Sequence, residues 1–327
     1  MSIITHESAL ENFNHQIQFA LDHSSPHGFS HSQFNNIVIA GLGGSGIGGR
    51  IVKTIFSNKS SLPIEVISDY SLPSYTSKNS FVILSSYSGT TEETLAMYQQ
   101  AKSLGCQMVC ITSGGELLEL ATKDQVKTYM VELGYQPRMA LGFSLSYNIL
   151  ILSELFNLSL RTEFESLLSL YNDIESMKTK AKEMIEFFSP YPDNKFTIVT
   201  DNQTEAIGVR FCQQIQENAK TEAFVNVLPE ANHNVFETYY GELSSNFIFI
   251  NSNTNDRNNG RFAYLKKLLV DTNNNVYELP LQNYSLMEIY KCLYITDWFS
   301  IYLSNQKGKD NMSVPNIMGL KGFLKTF

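Results

Sequence analysis

Short β-branched runs alternate with amphipathic stretches along the first half of the chain. Asn36 to Ala40 reads "NIVIA", meets the glycine cluster "GLGGSGIGG" and passes into the helical pattern "RIVKTIF". That order predicts a strand, a tight turn and a helix. Leu62 to Ser68 predicts a second strand, and residues 81–85 a third, followed by the polar loop "SSYSGTTEET" and a helix from about Thr91 to Leu104. "CQMVCIT" supplies another strand, "SGGELLELATKD" a turn and helix, and "VKTYMVEL" the last strand of this half. Strands separated by crossover helices run parallel, so the expected fold class is α/β, an open and mostly parallel sheet flanked by helices. Residues 1–155 form the first expected domain, led by a short amphipathic helix.

Residues 156–190 predict mostly helix and linker, broken at Pro190 and Pro192. The opening theme then returns. "NKFTIVTDNQTEAIGVRFCQQIQENAK" again runs strand, polar turn at 201–204 and helix, an internal repeat that predicts a second αβα domain over 191–327. "NFIFINS" and "LLVDT" are its further expected strands, with helical runs around 261–268 and 285–303 and Asn-rich loops at 251–259 and 273–275. Met139 to Ser153 carries no charge, yet it is shorter than the roughly 20 residues a bilayer requires and predicts a helix buried in a core.

Composition narrows the function classes. Of the 327 residues 43% are hydrophobic, enough for a core without metal or disulfide staples. The net charge of -8 argues against nucleic acid and anionic membrane as partners. The first residues lack the basic and then apolar run of a signal peptide, so the expectation is a cytoplasmic protein with no membrane segment. Cys106, Cys110, Cys212 and Cys292 show no metal-type spacing, and the first two are expected to pack as small hydrophobes around strand 107–111. Five of six histidines fall within the first 31 residues, leaving His233 alone beyond them. His23, His27 and His31 recur every four residues, but Pro26 and Gly28 oppose a helix there, and a polar surface segment rather than a metal site is expected.

Four stretches carry candidate chemistry. Gly41, Gly43 and Gly46 fit the dinucleotide pattern GxGxxG, with Asp69 near the position of its acid, so a nucleotide reading survives here, but the next loop decides against it. In the second loop Ser85, Ser86, Ser88, Thr90 and Thr91 surround Gly89 at a helix start. Hydroxyls beside free N–H groups and the positive end of a helix dipole suit a phosphate monoester; N-capping explains one of these hydroxyls but not five. Arg138 stands at the edge of the uncharged helix, where it needs an acid or a ligand as partner, and a surface or salt-bridged arginine fits as well. Glu217 near a helix end and His233 in the loop "LPEANHN" form a carboxylate and imidazole able to move protons if they converge; on spacing alone a solvated glutamate and a loop histidine fit better.

Taken in order, "GLGGSGIGG", "SSYSGTTEET", "ITSGG.L", "QPR.ALG", "QENAK", "LPEANHN" and "LKGFL" resemble the bifunctional phosphoglucose/phosphomannose isomerases, a family of the sugar isomerase (SIS) fold. The resemblance runs from about residue 37 to the end of the chain. It implies two tandem SIS domains, a homodimer, a hexose 6-phosphate substrate and no cofactor or metal. Gly44 and Ser45 would lie against the sugar, and Ser86, Ser88 and Thr91 would hold the phosphate. Arg138 would steady enediolate oxygens, Glu217 would move the proton between C1 and C2, and His233, given by the partner subunit, would help open the ring. Lys321 of the C-terminal helix corresponds to an active-site lysine that assists ring opening. Arg50 departs from the acid usual in the family after its glycine cluster, a change that bears on specificity and local packing.

Overall fold

The computed structural model describes residues 4–324 and Thr326. Its backbone packs as two compact units, one built on Ser8–Asp173 and the other on Thr5–Glu7 together with the chain from Ile174 onward.

In chain order the first unit runs α1 (His6–Glu11, whose first two residues pack with the second unit), α2 (Phe13–His23), β1 (Asn36–Ala40), α3 (Gly43–Ile55), β2 (Ile64–Ile67), β3 (Ser80–Ser85), α4 (Glu92–Ser103), β4 (Gln107–Thr112), α5 (Gly115–Lys123), β5 (Lys127–Met130), α6 (Leu141–Leu155) and α7 (Arg161–Ser166). Its strands pair in the order β2-β1-β3-β4-β5, every pair parallel. Parallel strands need both faces covered, and the side chains comply. Val38, Val82, Leu84 and Cys110 join Met97 and Tyr98 of α4 in one core layer. Each such side chain contributes roughly 1.5–3 kcal/mol by leaving water.

The uncharged stretch forms α6, buried at every position except Leu150 and Glu154. Its polar residues turn inward on their own helix: Asn148 Nδ2 donates to the Ser144 carbonyl at 2.7 Å and Ser153 Oγ to the Ile149 carbonyl at 2.6 Å. Among the described residues no helix is long and apolar enough to cross a membrane.

The second unit runs α8 (Ile174–Phe188), β6 (Lys195–Asp201), α9 (Glu205–Ala219), β7 (Ala223–Leu228), β8 (Ser245–Ile250), α10 (Asp256–Asp271), β9 (Asn275–Glu278), α11 (Leu286–Gln306) and α12 (Pro315–Leu324). Its sheet is again parallel, in the order β7-β6-β8-β9. The repeat anticipated from sequence is real in register. Ala40 pairs with Leu84 as Thr200 pairs with Ile250, so Gly41 and Asp201 occupy equivalent places, as do Ser86 and Ser252.

Three expectations need correction. "LLVDT" is the end of α10 and not a strand, because Phe262, Leu265 and Leu269 continue one buried helical face. The outer strands of this sheet are β7 and β9, whose half-polar edges gave little periodic signal. The N-terminal histidine segment is exposed at His23 and at most of its polar positions, as expected, but His27 departs from it: its side chain is fully buried, with Nε2 3.1 Å from the Ile151 carbonyl oxygen and its ring stacked on Phe29. Glu154 accepts the backbone N–H groups of His27 and Gly28, so the segment is tied to α6 by chemistry that spacing does not display.

Candidate active site

In the first unit the loop between β3 and α4 is held open by its own hydroxyls. Ser86, 2% exposed, donates from Oγ to Thr91 Oγ1 at 2.9 Å and accepts the Gly89 N–H at 3.1 Å. Thr90 Oγ1 donates to Ser88 Oγ at 3.1 Å, both side chains facing solvent. Thr91 occupies the N-cap of the 12-residue α4, yet its side chain makes no capping bond. Capping, which sequence would assign to one of the hydroxyls, is therefore not what Thr91 does. Its hydroxyl is oriented across the loop, and the helix start presents its dipole to the same space. The first-turn acids Glu92 and Glu93 act on Tyr70, whose phenol they hold above its usual pKa, with Glu93 the stronger.

Glycines bring the surrounding segments to van der Waals limits. Gly89 takes φ +66, and a Cβ there would lie 1.8 Å from the Gly114 carbonyl oxygen. The "ITSGG" stretch thus packs directly beneath the hydroxyl loop; Leu117 N–H donates to the Gly89 carbonyl at 2.9 Å and Ser113 Oγ to the Tyr87 carbonyl at 2.6 Å. The glycine cluster after β1 is not the tight turn expected. Helix α3 begins within it at Gly43, so most of the glycines are helical and serve close approach. A Cβ on Gly44 would meet the Pro137 carbonyl oxygen at 2.4 Å, pressing α3 onto the short 3-10 turn Pro137–Met139 that carries Arg138. Arg138 is 5% exposed, and the turn is braced from α2 by Gln16 Nε2 donating to the Met139 carbonyl at 2.8 Å.

Tyr87, which sequence reasoning passed over, joins these pieces. Ser45 Oγ accepts the Tyr87 N–H at 3.0 Å, linking α3 to the hydroxyl loop. The Tyr87 phenol donates to the Glu132 carbonyl at 3.0 Å and accepts the Tyr135 N–H at 2.8 Å, reaching the segment that leads to Arg138. Burial pushes the Tyr87 pKa up, which keeps it a neutral donor. Gly44, Ser45, Tyr87, Pro137 and Ser144 line one narrow cleft. Of the predicted first-unit residues, the structure therefore gathers Gly44, Ser45, Ser86 and the Arg138 turn around one end of the sheet.

The second unit places Glu217, half-buried, in the last turn of α9. His233 ends a 3-10 turn, Glu230–His233, and is exposed; Arg261 Nη1 donates to the Asn232 Oδ1 beside it at 2.6 Å. Lys321 lies on α12, where it too is exposed. The turns equivalent to the first unit's loops are filled from within. Asp201 Oδ1 accepts the N–H groups of Gln203 and Thr204, each at 3.0 Å. Its Oδ2 accepts the Ser252 N–H at 3.0 Å and the Ser252 hydroxyl at 2.5 Å. Among the described residues no group of three or more His, Cys, Asp or Glu is placed to hold a metal ion.

Comparison with known proteins agrees with this layout. Residues 32–131 match the SIS domain, and residues 178–324 match the bacterial phospho-glucose isomerase C-terminal SIS domain. The protein is thus a tandem SIS protein, of the class built around sugar phosphates. It is 34% identical over 305 residues to the bifunctional phosphoglucose/phosphomannose isomerase of Caldicellulosiruptor bescii, covering 89% of both chains. Identity to the enzyme of the same name from Aquifex aeolicus is 33% over 300 residues, covering 89% of this chain and 91% of that one. The chain belongs to the bifunctional phosphoglucose/phosphomannose isomerase family. Among solved structures, the C-terminal domain of glucosamine-fructose-6-phosphate aminotransferase from Francisella tularensis shares the fold, with a TM-score of 0.73 at 15% identity over 93% of this chain and 97% of that chain.

Proposed function

We propose that the protein interconverts glucose 6-phosphate and fructose 6-phosphate, and mannose 6-phosphate where its C2 hydroxyl is accommodated, through a cis-enediolate. The observation that carries this reading is the hydroxyl loop of the first unit, where Ser86, Ser88 and Thr91 surround a helix start whose cap residue spends no hydroxyl on the helix. Such a loop suits a phosphate monoester, and fixing the phosphate orients the carbons that react.

In this mechanism His233 and Lys321 exchange protons with the ring and anomeric oxygens to open the sugar. Glu217 takes the C2 proton to give the enediolate and returns it to C1. Arg138 and backbone N–H groups stabilise the charge that develops on the oxygens. His233 is exposed on its own subunit, which suits its donation to the active site of a second copy in a homodimer.

Conversion of glucose 6-phosphate by the purified protein and by Glu217→Gln tests the proposal. The wild type is expected to be active and the variant to lose at least about a thousandfold in kcat. An active Glu217→Gln enzyme overturns the base assignment. A wild type that binds sugar phosphates without turning over glucose or mannose 6-phosphate overturns the enzymatic reading and supports a sugar-phosphate-binding protein.

A further inference from the structure

Helix α9, which carries Glu217, buries a polar stripe beside the apolar one of Ile207, Phe211 and Ile215. Arg210, Gln214 and Asn218 recur every four residues on its hidden face and are each no more than 1% exposed. Arg210 meets Asp297 and Asn218 Nδ2 donates to Ser300 Oγ at 2.9 Å, both partners on α11. Gln214 does not meet α11 in this way. Its amide lies 3.4 Å from Nε2 of His6, a residue 208 positions earlier and fully buried.

The next residue continues the connection. Glu7 Oε1 accepts from Asn311 Nδ2 at 3.1 Å, in the segment between α11 and α12. Two residues on, the Ser313 carbonyl accepts from Lys220 Nζ at 2.6 Å. Lys220 ends α9 in the left-handed conformation, φ 54, and its ammonium also donates to the carbonyl of Glu217. The path closes on itself: His6 to Gln214, along α9 to Lys220, across to Ser313, back through Asn311 to Glu7 and so to His6. It encloses the turn bearing Glu217 and anchors the root of the helix bearing Lys321.

We propose that His6 and Glu7 are positioning residues for the isomerisation, holding the last turn of α9 and the root of α12 in one fixed relation; this rests on the roles proposed above for Glu217 and Lys321. A carboxylate that transfers a proton between adjacent carbons tolerates little displacement, so a loosened turn costs turnover more than binding. The phosphate loop lies in the other unit and is untouched by the circuit.

The test compares His6→Leu, His6→Gln and Glu7→Ala in the full chain, reading kcat, KM and amide exchange at residues 215–220. His6→Leu and Glu7→Ala are expected to lower kcat by roughly tenfold to a hundredfold, with KM changed by less than about threefold. The amides of 215–220 exchange faster, and His6→Gln, which keeps a hydrogen-bonding side chain, recovers most of both. Folded variants with unchanged kcat and unchanged exchange overturn the proposal, even if they melt at lower temperature. A wild type without isomerase activity refutes the proposed function instead; exchange at 215–220 then decides the positional role, faster exchange supporting it and unchanged exchange ending it. If His6→Leu does not fold, Asn311→Ala breaks the same circuit at an intermediate link and is read in the same way.

Discussion

Gly89 and Gly114 approach so closely that no side chain fits between them: a Cβ on Gly89 would sit 1.8 Å from the Gly114 carbonyl oxygen. The hydroxyl loop therefore owes its shape to the strand–helix turn beneath it, and its left-handed φ adds a second demand for glycine. Gly89→Ala is expected to leave the protein folded while moving Ser86 and Thr91 apart. Titration with a sugar phosphate should show affinity weakened by at least about tenfold, or roughly 1.4 kcal/mol; unchanged affinity would show that the loop is not the phosphate seat.

Arg210 and Asp297 form a two-point pair, Nε to Oδ1 at 3.2 Å and Nη2 to Oδ2 at 2.8 Å, with both side chains 2% exposed. Removing one partner strands the other charge out of water. Asp297→Ala is expected to cost about 3–5 kcal/mol in denaturant unfolding, whereas the double change Arg210→Met with Asp297→Leu should cost much less. A double variant as unstable as the single one would mean that packing, and not the stranded charge, sets the loss.

Burial pushes the thiols of Cys110, Cys212 and Cys292 up to about 12. In the unfolded chain the same groups ionise near their ordinary pKa, about 8.5. Between these limits the unfolded state holds fewer protons than the folded one, so stability falls as pH rises, by up to about 1.4 kcal/mol per pH unit for each thiol. Urea midpoints should drop steadily above pH 9, and a thiol reagent at pH 8 should label these three only after unfolding. A midpoint that holds steady from pH 8 to 10.5 would contradict this.

The first sheet could be read from sequence because its central strands β1, β3 and β4 are largely buried apolar runs beside turn-forming residues. The second was half legible for a physical reason: β7 exposes Phe224 and β9 reads "NVYE", edges that carry no strong period. The chemistry-bearing stretches were legible as types, hydroxyls at a helix start or an arginine beside a core helix. Their assembly was not. That the glycines of α3 serve the approach of Pro137, that Tyr87 bridges to Tyr135, and that His6 reaches Gln214 are facts of tertiary contact between segments 48 to 208 residues apart, invisible to any local pattern.

The Asp201 carboxylate gives the duplicated fold an asymmetry of occupancy. Where the first unit has Gly41 and a serine loop, the second supplies its own carboxylate to Ser252 and to the N–H groups after β6. The Asp201 carboxylate thus takes up the donors that the equivalent turn of the first unit leaves facing its loop. One chain should accordingly take up one equivalent of sugar phosphate by calorimetry, and a stoichiometry of two would refute this. On the proposed mechanism the duplicated fold divides its labour: one unit seats the phosphate, and the other, its turn occupied by Asp201, presents the proton-transferring groups on its helices.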